Sequence, residues 1–474
     1  MNQTRLAPSA ARVLILSHDL VGPKMAGPGV RYWELARVLA ASCRVTLAAP
    51  LSGGLPGCPW RVVPLSLSRP EELTPLLAEA DVLVANGFML YDYPQLAALT
   101  IPWVVDVYIP QPTEGLALYQ HHPLAEQEAA HRGNTEMMRR FFALGDFFIC
   151  ANERQRDLYL GVLAAVGRLN PHTYGQDPTL RQLIDVVPFG LPAEAPVHRR
   201  AVLKGVRSGV SPQDKVILWG GGIWDWLDPL TLVRALAQVA AERPDVRLYF
   251  PGTRHPFTQR VPEMAMHRRT LELCQQLGLT DRIVFFGDWI PYEDRGSYLL
   301  EADIGVSLHH EGIEARFAFR TRVLDYIWAG LPMIVSSGDS LAELVRERGL
   351  GIVVAPGDVE GVAAALRSLL AEEDARAARR ERFRQAAQEL RWEAVAAPLA
   401  AFCRAPRQAA DRRAGYLMED RGAEREVHRL QGELALARQR QTELEHLVAA
   451  YERGRFIRLM AALRRWRARL RGKP

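Results

Sequence analysis

Two guanidinium groups and a carboxylate stand close together at Arg320, Arg322 and Asp325, inside the run Phe317-Ala318-Phe319-Arg320-Thr321-Arg322-Val323-Leu324-Asp325-Tyr326-Ile327-Trp328-Ala329-Gly330-Leu331-Pro332. Arginine forks onto phosphate oxygens, and a helix start adds backbone N–H groups. A nearby carboxylate accepts from ribose hydroxyls. The ligand class that suits both is a sugar diphosphate. The competing reading is a surface helix with local charge pairs, against which stand Phe317, Phe319, Leu324, Tyr326, Ile327 and Trp328, apolar on most other sides. Just upstream lie His309, His310, Glu311 and Glu314. The two glutamates are candidates for work at a sugar. The spacing is not His-Glu-x-x-His and no second cluster completes a ligand set, so no metal site is expected.

Other candidates fall at the ends of short apolar runs. Gly221 and Gly222 follow Lys215–Trp219 directly and allow a bulky ligand close to the backbone. Arg254, after the turn Pro251-Gly252, is placed to meet phosphate, and Trp289 to hold a base. Near the amino end, Gly27 and Gly29 sit at a helix start with amides that can face a phosphate or an acceptor. Their spacing is not the dinucleotide fingerprint, and a plain flexible turn is the alternative. His18 and Asp19 follow the first strand, and Asp106 ends a later one. Each could hold a hydroxyl or take a proton, or simply cap its loop.

These residues need a frame that brings strand ends together. Arg12–Ser17, Cys43–Ala48, Arg61–Val63, Asp81–Asn86, Trp103–Asp106 and Phe147–Cys150 read as strands with helical patterns between several of them. The pattern restarts with Lys215–Trp219, Val246–Phe250, Ile283–Phe286, Ile304–Ser307, Met333–Ser336 and Ile352–Val354. Two doubly wound α/β domains imply a cleft, with ligands beyond the carboxyl ends of the strands. The expected divisions are residues 1–190 for the first domain, 191–390 for the second, 391–403 for a helix crossing back to the first, and 404–474 for the rest.

The chain of 474 residues, 48% hydrophobic, can bury two or three cores. Five scattered cysteines read as buried thiols of a reducing compartment. The polar start lacks a signal segment, and no run reaches the roughly 20 apolar residues of a membrane span. The expected location is cytoplasmic, peripheral on the inner face of the plasma membrane.

Nine basic residues lie between Arg453 and Lys473, and without them the net +5 becomes −4. The basic character therefore belongs to the tail, and nucleic acid is not an expected partner. Phe456, Leu459, Met460, Leu463, Trp466 and Leu470 share one helical face beside these arginines, so residues 453–474 suit an anionic membrane surface. The alternative is a solvated tail or a helix docked on acidic protein. Residues 404–413 look like a linker. Val427, Leu430, Leu434, Ala437, Gln441, Leu444 and Val448 make a heptad-like seam, read either as a homodimer contact over 427–448 or as hairpin packing.

At this point the chain resembles the family 4 glycosyltransferases of bacteria over roughly residues 11–403. The matching features are the opening strand and Gly-rich loop, Val187-Pro188-Phe189-Gly190, Gly287 with Ala302-Asp303, the Asp325–Pro332 segment and Val353–Gly357. The resemblance implies a GT-B fold of two Rossmann-like domains. It also implies a hexosyltransferase using a UDP-, GDP- or TDP-sugar as co-substrate, with no bound cofactor or metal. Retention of configuration follows from it too, while the basic amphipathic end favours a glycan or lipid-linked acceptor in surface polysaccharide or glycolipid synthesis. The family signature has two glutamates separated by seven residues. Here Asp325 takes the second place and Phe317 the first, leaving Glu311 or Glu314 to compensate. The base usually found after the second domain's first strand is absent as well, which passes phosphate charge to Arg254, Arg320 or Arg322. A GT-B nucleotide-sugar epimerase and an inactive scaffold are the alternatives.

Overall fold

The computed structural model describes residues 10–53, 57–252, 255–257, 263–372, 374–416, 436–446, 448 and 454–472. The chain forms two compact units, Met1–Leu417 and Met418–Pro474.

The larger unit holds two fully parallel sheets. The first contains β1 (Arg12–Leu16), β2 (Arg44–Ala49), β3 (Arg61–Pro64), β4 (Val82–Asn86), β5 (Trp103–Asp106), β6 (Phe147–Cys150) and β7 (Ile184–Val186), in the order β3-β2-β1-β4-β5-β6-β7. The second contains β8 (Lys215–Trp219), β9 (Val246–Phe250), β10 (Val284–Phe286), β11 (Ile304–Ser307), β12 (Met333–Ser336) and β13 (Gly351–Val354), in the order β10-β9-β8-β11-β12-β13. The central strands are near-continuous Val/Ile/Leu runs because both faces are covered. β7, a three-residue strand running into the domain switch, was not expected from the sequence. It is too short to show a period.

In each sheet the winding reverses beside the first strand. β1 sits between β2 and β4, with Val13 opposite both Val45 and Val82. β8 likewise sits between β9 and β11. A crevice opens at the carboxyl ends where neighbouring strands send their loops apart. The loops there are Ser17–Ala26 after β1, Gly220–Trp226 after β8 and Leu308–Gly312 after β11.

The chain passes between domains through Val187–Leu191 and returns beside its exit. Leu191 N donates to Leu390 O at 2.7 Å, and Trp392 N donates to Leu191 O at 3.0 Å. A Cβ on Gly190 would lie 2.7 Å from the Trp392 Cα, so only glycine lets the two segments touch. The expected crossing helix over 392–403 is two pieces, Trp392–Val395 and Ala397–Arg404, the second starting with a proline in its first turn. Phe402 stacks on Phe147 of the first sheet at 4.8 Å.

Residues 404–413 are not a free linker. Ala410–Arg413 is helical, and Asp411 is fully buried, with Oδ2 2.6 Å from Arg168 Nε and 3.0 Å from Asn170 Nδ2. Arg412 pairs with Asp146. Two of the polar side chains that made this stretch read as solvated, Asp411 and Arg412, are partners in buried ion pairs.

In the smaller unit, residues 436–446 are helical and Arg455–Arg471 forms a second helix. Leu459, Met460, Leu463, Trp466 and Leu470 are exposed on it. Val427, Leu430 and Leu434 of the proposed seam lie outside the described residues, as does Arg453. Among the described residues no helix is long and apolar enough to cross a membrane.

Candidate active site

The first domain's side of the crevice is built by the loop after β1. Ser17 Oγ donates to Asp19 O at 2.8 Å, and Asp19 Oδ1 accepts from Leu20 N at 2.7 Å. This turn brings the chain round to the helix Gly27–Leu39, whose start has Pro28 in the first turn and no side-chain cap. Its first N–H groups are therefore left for water or a ligand. A Cβ on Gly29 would lie 2.2 Å from Leu20 O, whereas Gly27 faces open space. His18 is half-buried against Tyr32, ring centroids 5.9 Å apart.

Asp106 does not reach the crevice as a free acid. It is fully buried, with Oδ2 2.6 Å from Arg31 Nε and Oδ1 2.9 Å from Arg31 Nη2, while the same Nη2 donates to Val187 O at 2.9 Å. Both carboxylate oxygens are held, and the pair ties the Gly27–Leu39 helix to β5 and to the domain switch. A strand-end position could not distinguish this role from a catalytic one.

On the second domain, the Gly220–Gly222 loop lies over the helix Thr321–Trp328. Gly220 N donates to the Tyr326 hydroxyl at 2.7 Å. Gly221 takes φ +80°, open to glycine, with nothing near its would-be Cβ. Arg322 is buried beneath the loop. Its Nη2 donates to Gly222 O at 3.0 Å, its guanidinium lies 4.8 Å from the Trp219 ring centroid, and its Nη1 has no partner among the described residues. Burial pulls its pKa down to about 10, helped by the charge of Arg320 and opposed by Tyr326 and Asp325, and among the described residues no carboxylate forms an ion pair with it.

Asp325 faces Arg295, with Oδ1 3.6 Å from Nε. Arg295 is clamped 3.7 Å from the Tyr292 ring centroid and 4.5 Å from that of Trp328. Desolvation raises the Asp325 pKa and Arg295 opposes it. The side chain is still 44% exposed, so solvent screens the shift. No sequence signal pointed to Arg295, which lies thirty positions upstream and meets Asp325 only in the fold.

Arg320 turns to Glu314, Nη2 to Oε2 2.5 Å, with both buried. Arg320 Nε and Glu314 Oε1 lack partners among the described residues. Of the two compensating glutamates, Glu314 is thus the inward one, and Glu311 is exposed at the Gly312 turn. His309 belongs to its own domain's frame, with Nδ1 2.9 Å from His310 O and Nε2 3.4 Å from Asp339 Oδ2. Trp289 packs on Gly252 and meets His255 edge-on at 5.3 Å. Gly222 adjoins Trp224, which stacks on Trp226 at 5.3 Å. Arg254 lies outside the described residues.

The two faces meet across the crevice. His255 Nε2 approaches Asp19 Oδ2 at 3.5 Å, and its Nδ1 accepts from Phe257 N at 3.1 Å, which assigns the proton to Nε2 in the neutral ring. Tyr292 N donates to Pro23 O at 2.7 Å and its hydroxyl donates to Glu34 at 2.9 Å. At the far side, Arg154 pairs with Glu343 at 2.5 Å, and Gln155 Nε2 donates to both Tyr108 O and Phe317 O, at 2.8 and 2.9 Å. These contacts hold the two domains together, with Asp19 and His255 on the crevice itself.

Residues 214–372 match the family model described as glycosyl transferases group 1. A search of curated protein sequences gives no match. Among solved structures, the chain is similar to sucrose-phosphate synthase of Thermosynechococcus elongatus, with 19% identity, a TM-score of 0.57, and coverage of 83% of this chain and 98% of that one. It is similar to WaaG, a glycosyltransferase involved in lipopolysaccharide biosynthesis, with 17% identity, a TM-score of 0.56, and coverage of 83% and 100%. It is also similar to HepE of Anabaena in complex with UDP and glucose, with 16% identity, a TM-score of 0.56, and coverage of 82% and 98%. The fold is GT-B. In this GT-B chain the residues matching the family model span β8 to the helix Val359–Ala371, so they include Arg322 and Asp325.

Proposed function

We propose that the chain is a glycosyltransferase that moves a hexosyl group from a nucleotide-diphosphate sugar to a glycan or lipid-linked acceptor. The observation that carries this reading is Arg322, a buried guanidinium with an unpartnered N–H and no paired carboxylate among the described residues. A buried cation without a counter-ion is costly, and a diphosphate supplies the missing charge. The position fits, beneath a Gly-rich loop at the carboxyl end of β8. HepE of Anabaena, similar in fold, was solved with UDP and glucose.

The step follows from charge. The bond from the anomeric carbon to the diphosphate breaks as the acceptor hydroxyl attacks that carbon. The hydroxyl proton passes to the departing phosphate, and nucleoside diphosphate leaves. Negative charge grows on the leaving oxygens, where Arg322 and the uncapped amides of Gly27 and Gly29 oppose it. Retention through same-face attack and independence of metal are carried over from the resemblance. Closure along Asp19–His255 and Tyr292–Pro23 keeps water from the donor. A thermal-shift screen against UDP-, GDP-, TDP- and CMP-sugars tests the reading. One nucleotide class raises the melting temperature, and no response to any of them rejects it.

The Arg455–Arg471 helix supports an acceptor at an anionic membrane, with Trp466 and the leucines entering the headgroup boundary and the arginines meeting phosphate. A cytoplasmic protein peripheral on the inner face of the plasma membrane follows, and a homodimer through 427–448 is compatible with it. Full-length protein should cosediment with phosphatidylglycerol vesicles and lose this when truncated after Tyr416. Equal recovery of both forms in the supernatant rejects membrane contact.

A further inference from the structure

The helix Ile313–Phe317 has five residues, too few to persist on its own propensity. It carries Glu314, which holds Arg320 at 2.5 Å, and Arg320 opens the helix Thr321–Trp328 on which Arg322 and Asp325 lie. At its carboxyl end Ala318 N donates back to Glu314 O and Ala315 O, at 3.0 and 3.2 Å. The next three carbonyls, those of Arg316, Phe317 and Ala318, accept no backbone N–H from beyond the helix among the described residues. A helix end ordinarily finds such partners in the residues that follow it, or in water. Here they come from the other domain.

Three donors lie within four residues at the start of the first-domain helix Glu153–Ala165. Gln155 Nε2 donates to Phe317 O at 2.9 Å. Two longer contacts flank it, Arg154 Nη1 to Arg316 O and Asn152 Nδ2 to Ala318 O, both at 3.4 Å. Arg154 also donates to Gly338 O at 2.8 Å and pairs with Glu343. Asn152 Oδ1 meanwhile caps its own helix by accepting from Gln155 N at 2.8 Å. The Gln155 side chain is fully buried with its amide wholly used: Oε1 accepts from Ala151 N at 2.8 Å, and Nε2 also donates to Tyr108 O at 2.8 Å. The polarity of the two helices favours the meeting, since an amino-terminal turn is electropositive and a carboxyl end electronegative. Parting the domains strips all three carbonyls of these donors at once, and a short helix with uncapped carbonyls frays.

We propose that Asn152, Arg154 and Gln155 are positioning residues that cap the helix Ile313–Phe317 across the domain gap, so that the loop presenting Arg320 is ordered only while the domains are together. That this loop serves a sugar-nucleotide site rests on the glycosyltransferase reading; the capping itself does not. In the parted chain Glu314 no longer fixes Arg320, and the start of the Thr321–Trp328 helix is released with it. The second domain's site is therefore finished by backbone contacts from the first, not by its own sequence alone.

Hydrogen exchange on the full chain without ligand tests the capping. Gln155→Glu keeps the shape and the oxygen that holds Ala151 N, and replaces both crossing N–H groups by an acceptor. Amides over 313–320 should exchange about tenfold faster than in the parent, the loss of roughly one or two hydrogen bonds, while β1 and β8 keep parental protection. Asn152→Asp combined with Arg154→Ala approaches the same helix from the flanking donors and leaves the cap on Gln155 N in place, because aspartate caps as well as asparagine. It should give about a threefold rise over the same residues. Unchanged exchange over 313–320 in both variants, or a rise spread evenly through both domains, overturns the proposal. The link to the site is tested with UDP, GDP and TDP. A diphosphate that binds should restore protection over 313–320 in the variants, since binding and closure favour each other reciprocally. A diphosphate that binds the variants and restores none overturns that link. If the parent binds none of the three, the glycosyltransferase reading fails, while ligand-free exchange still decides the capping.

Discussion

Arg322→Met should weaken nucleoside diphosphate binding by roughly 10- to 100-fold, the range for hydrogen bonds to a charged group, while the unliganded protein melts no earlier than the parent. The pairing of effects is the informative part. A residue retained for stability loses both on substitution. Arg322 is buried over Trp219 with one N–H on Gly222 O and another unpartnered, and its pKa is drawn down to about 10. The folded chain therefore bears a desolvation cost that methionine, of similar length, does not impose. Arg322→Lys should recover little binding, because an ammonium cannot fork onto two phosphate oxygens. Calorimetry with UDP, GDP and TDP, beside thermal melts without ligand, reads both halves. Undiminished affinity, or a large fall in melting temperature with affinity intact, would remove Arg322 from the donor site.

Asp106→Ala should destabilise the protein by about 3–5 kcal/mol, the range for breaking one side of a buried ion pair. It leaves Arg31 fully buried with no carboxylate, its guanidinium 4.8 Å from the Tyr108 ring centroid and 5.1 Å from that of Phe189. Replacing both partners, Arg31→Met with Asp106→Leu, should restore much of that loss, since no lone charge is then left inside. Urea unfolding of the single and double variants measures this, and the remaining folded Asp106→Ala should keep most of its affinity for the diphosphate. A variant with parental stability but no turnover would return Asp106 to the catalytic list. Arg31 and Arg322 are both buried and of one residue type. Among the described residues the first has a paired carboxylate and the second does not, and the opposite expectations follow from that difference.

Much of the molecule was legible in the chain itself. Apolar runs of three to six residues, bounded by Gly, Pro and Asp, located twelve of the thirteen strands among the described residues, because a strand buried on both faces must be apolar throughout. The helix Thr321–Trp328 and its glycine stop were equally readable, with Gly330 at φ +60° where a side chain would be strained. The restart of the pattern at Lys215 gave two doubly wound domains and a crevice. Arginine and carboxylate types in one short run are the basis of the proposed ligand class.

Tertiary structure decided what those side chains do. Spacing places a residue at a strand end, but partner choice depends on groups far away in sequence that only folding brings near. Asp106 met Arg31 and became structural, Asp325 met Arg295, and Arg320 turned to Glu314. Gln155 drew no notice in the sequence, being one amide on a helix, and it joins Tyr108 O to Phe317 O only because folding brings both near it. Periodicity is a local property set by backbone geometry, so a single chain displays it. Electrostatic pairing and burial are properties of three-dimensional proximity, so no reading along one dimension contains them.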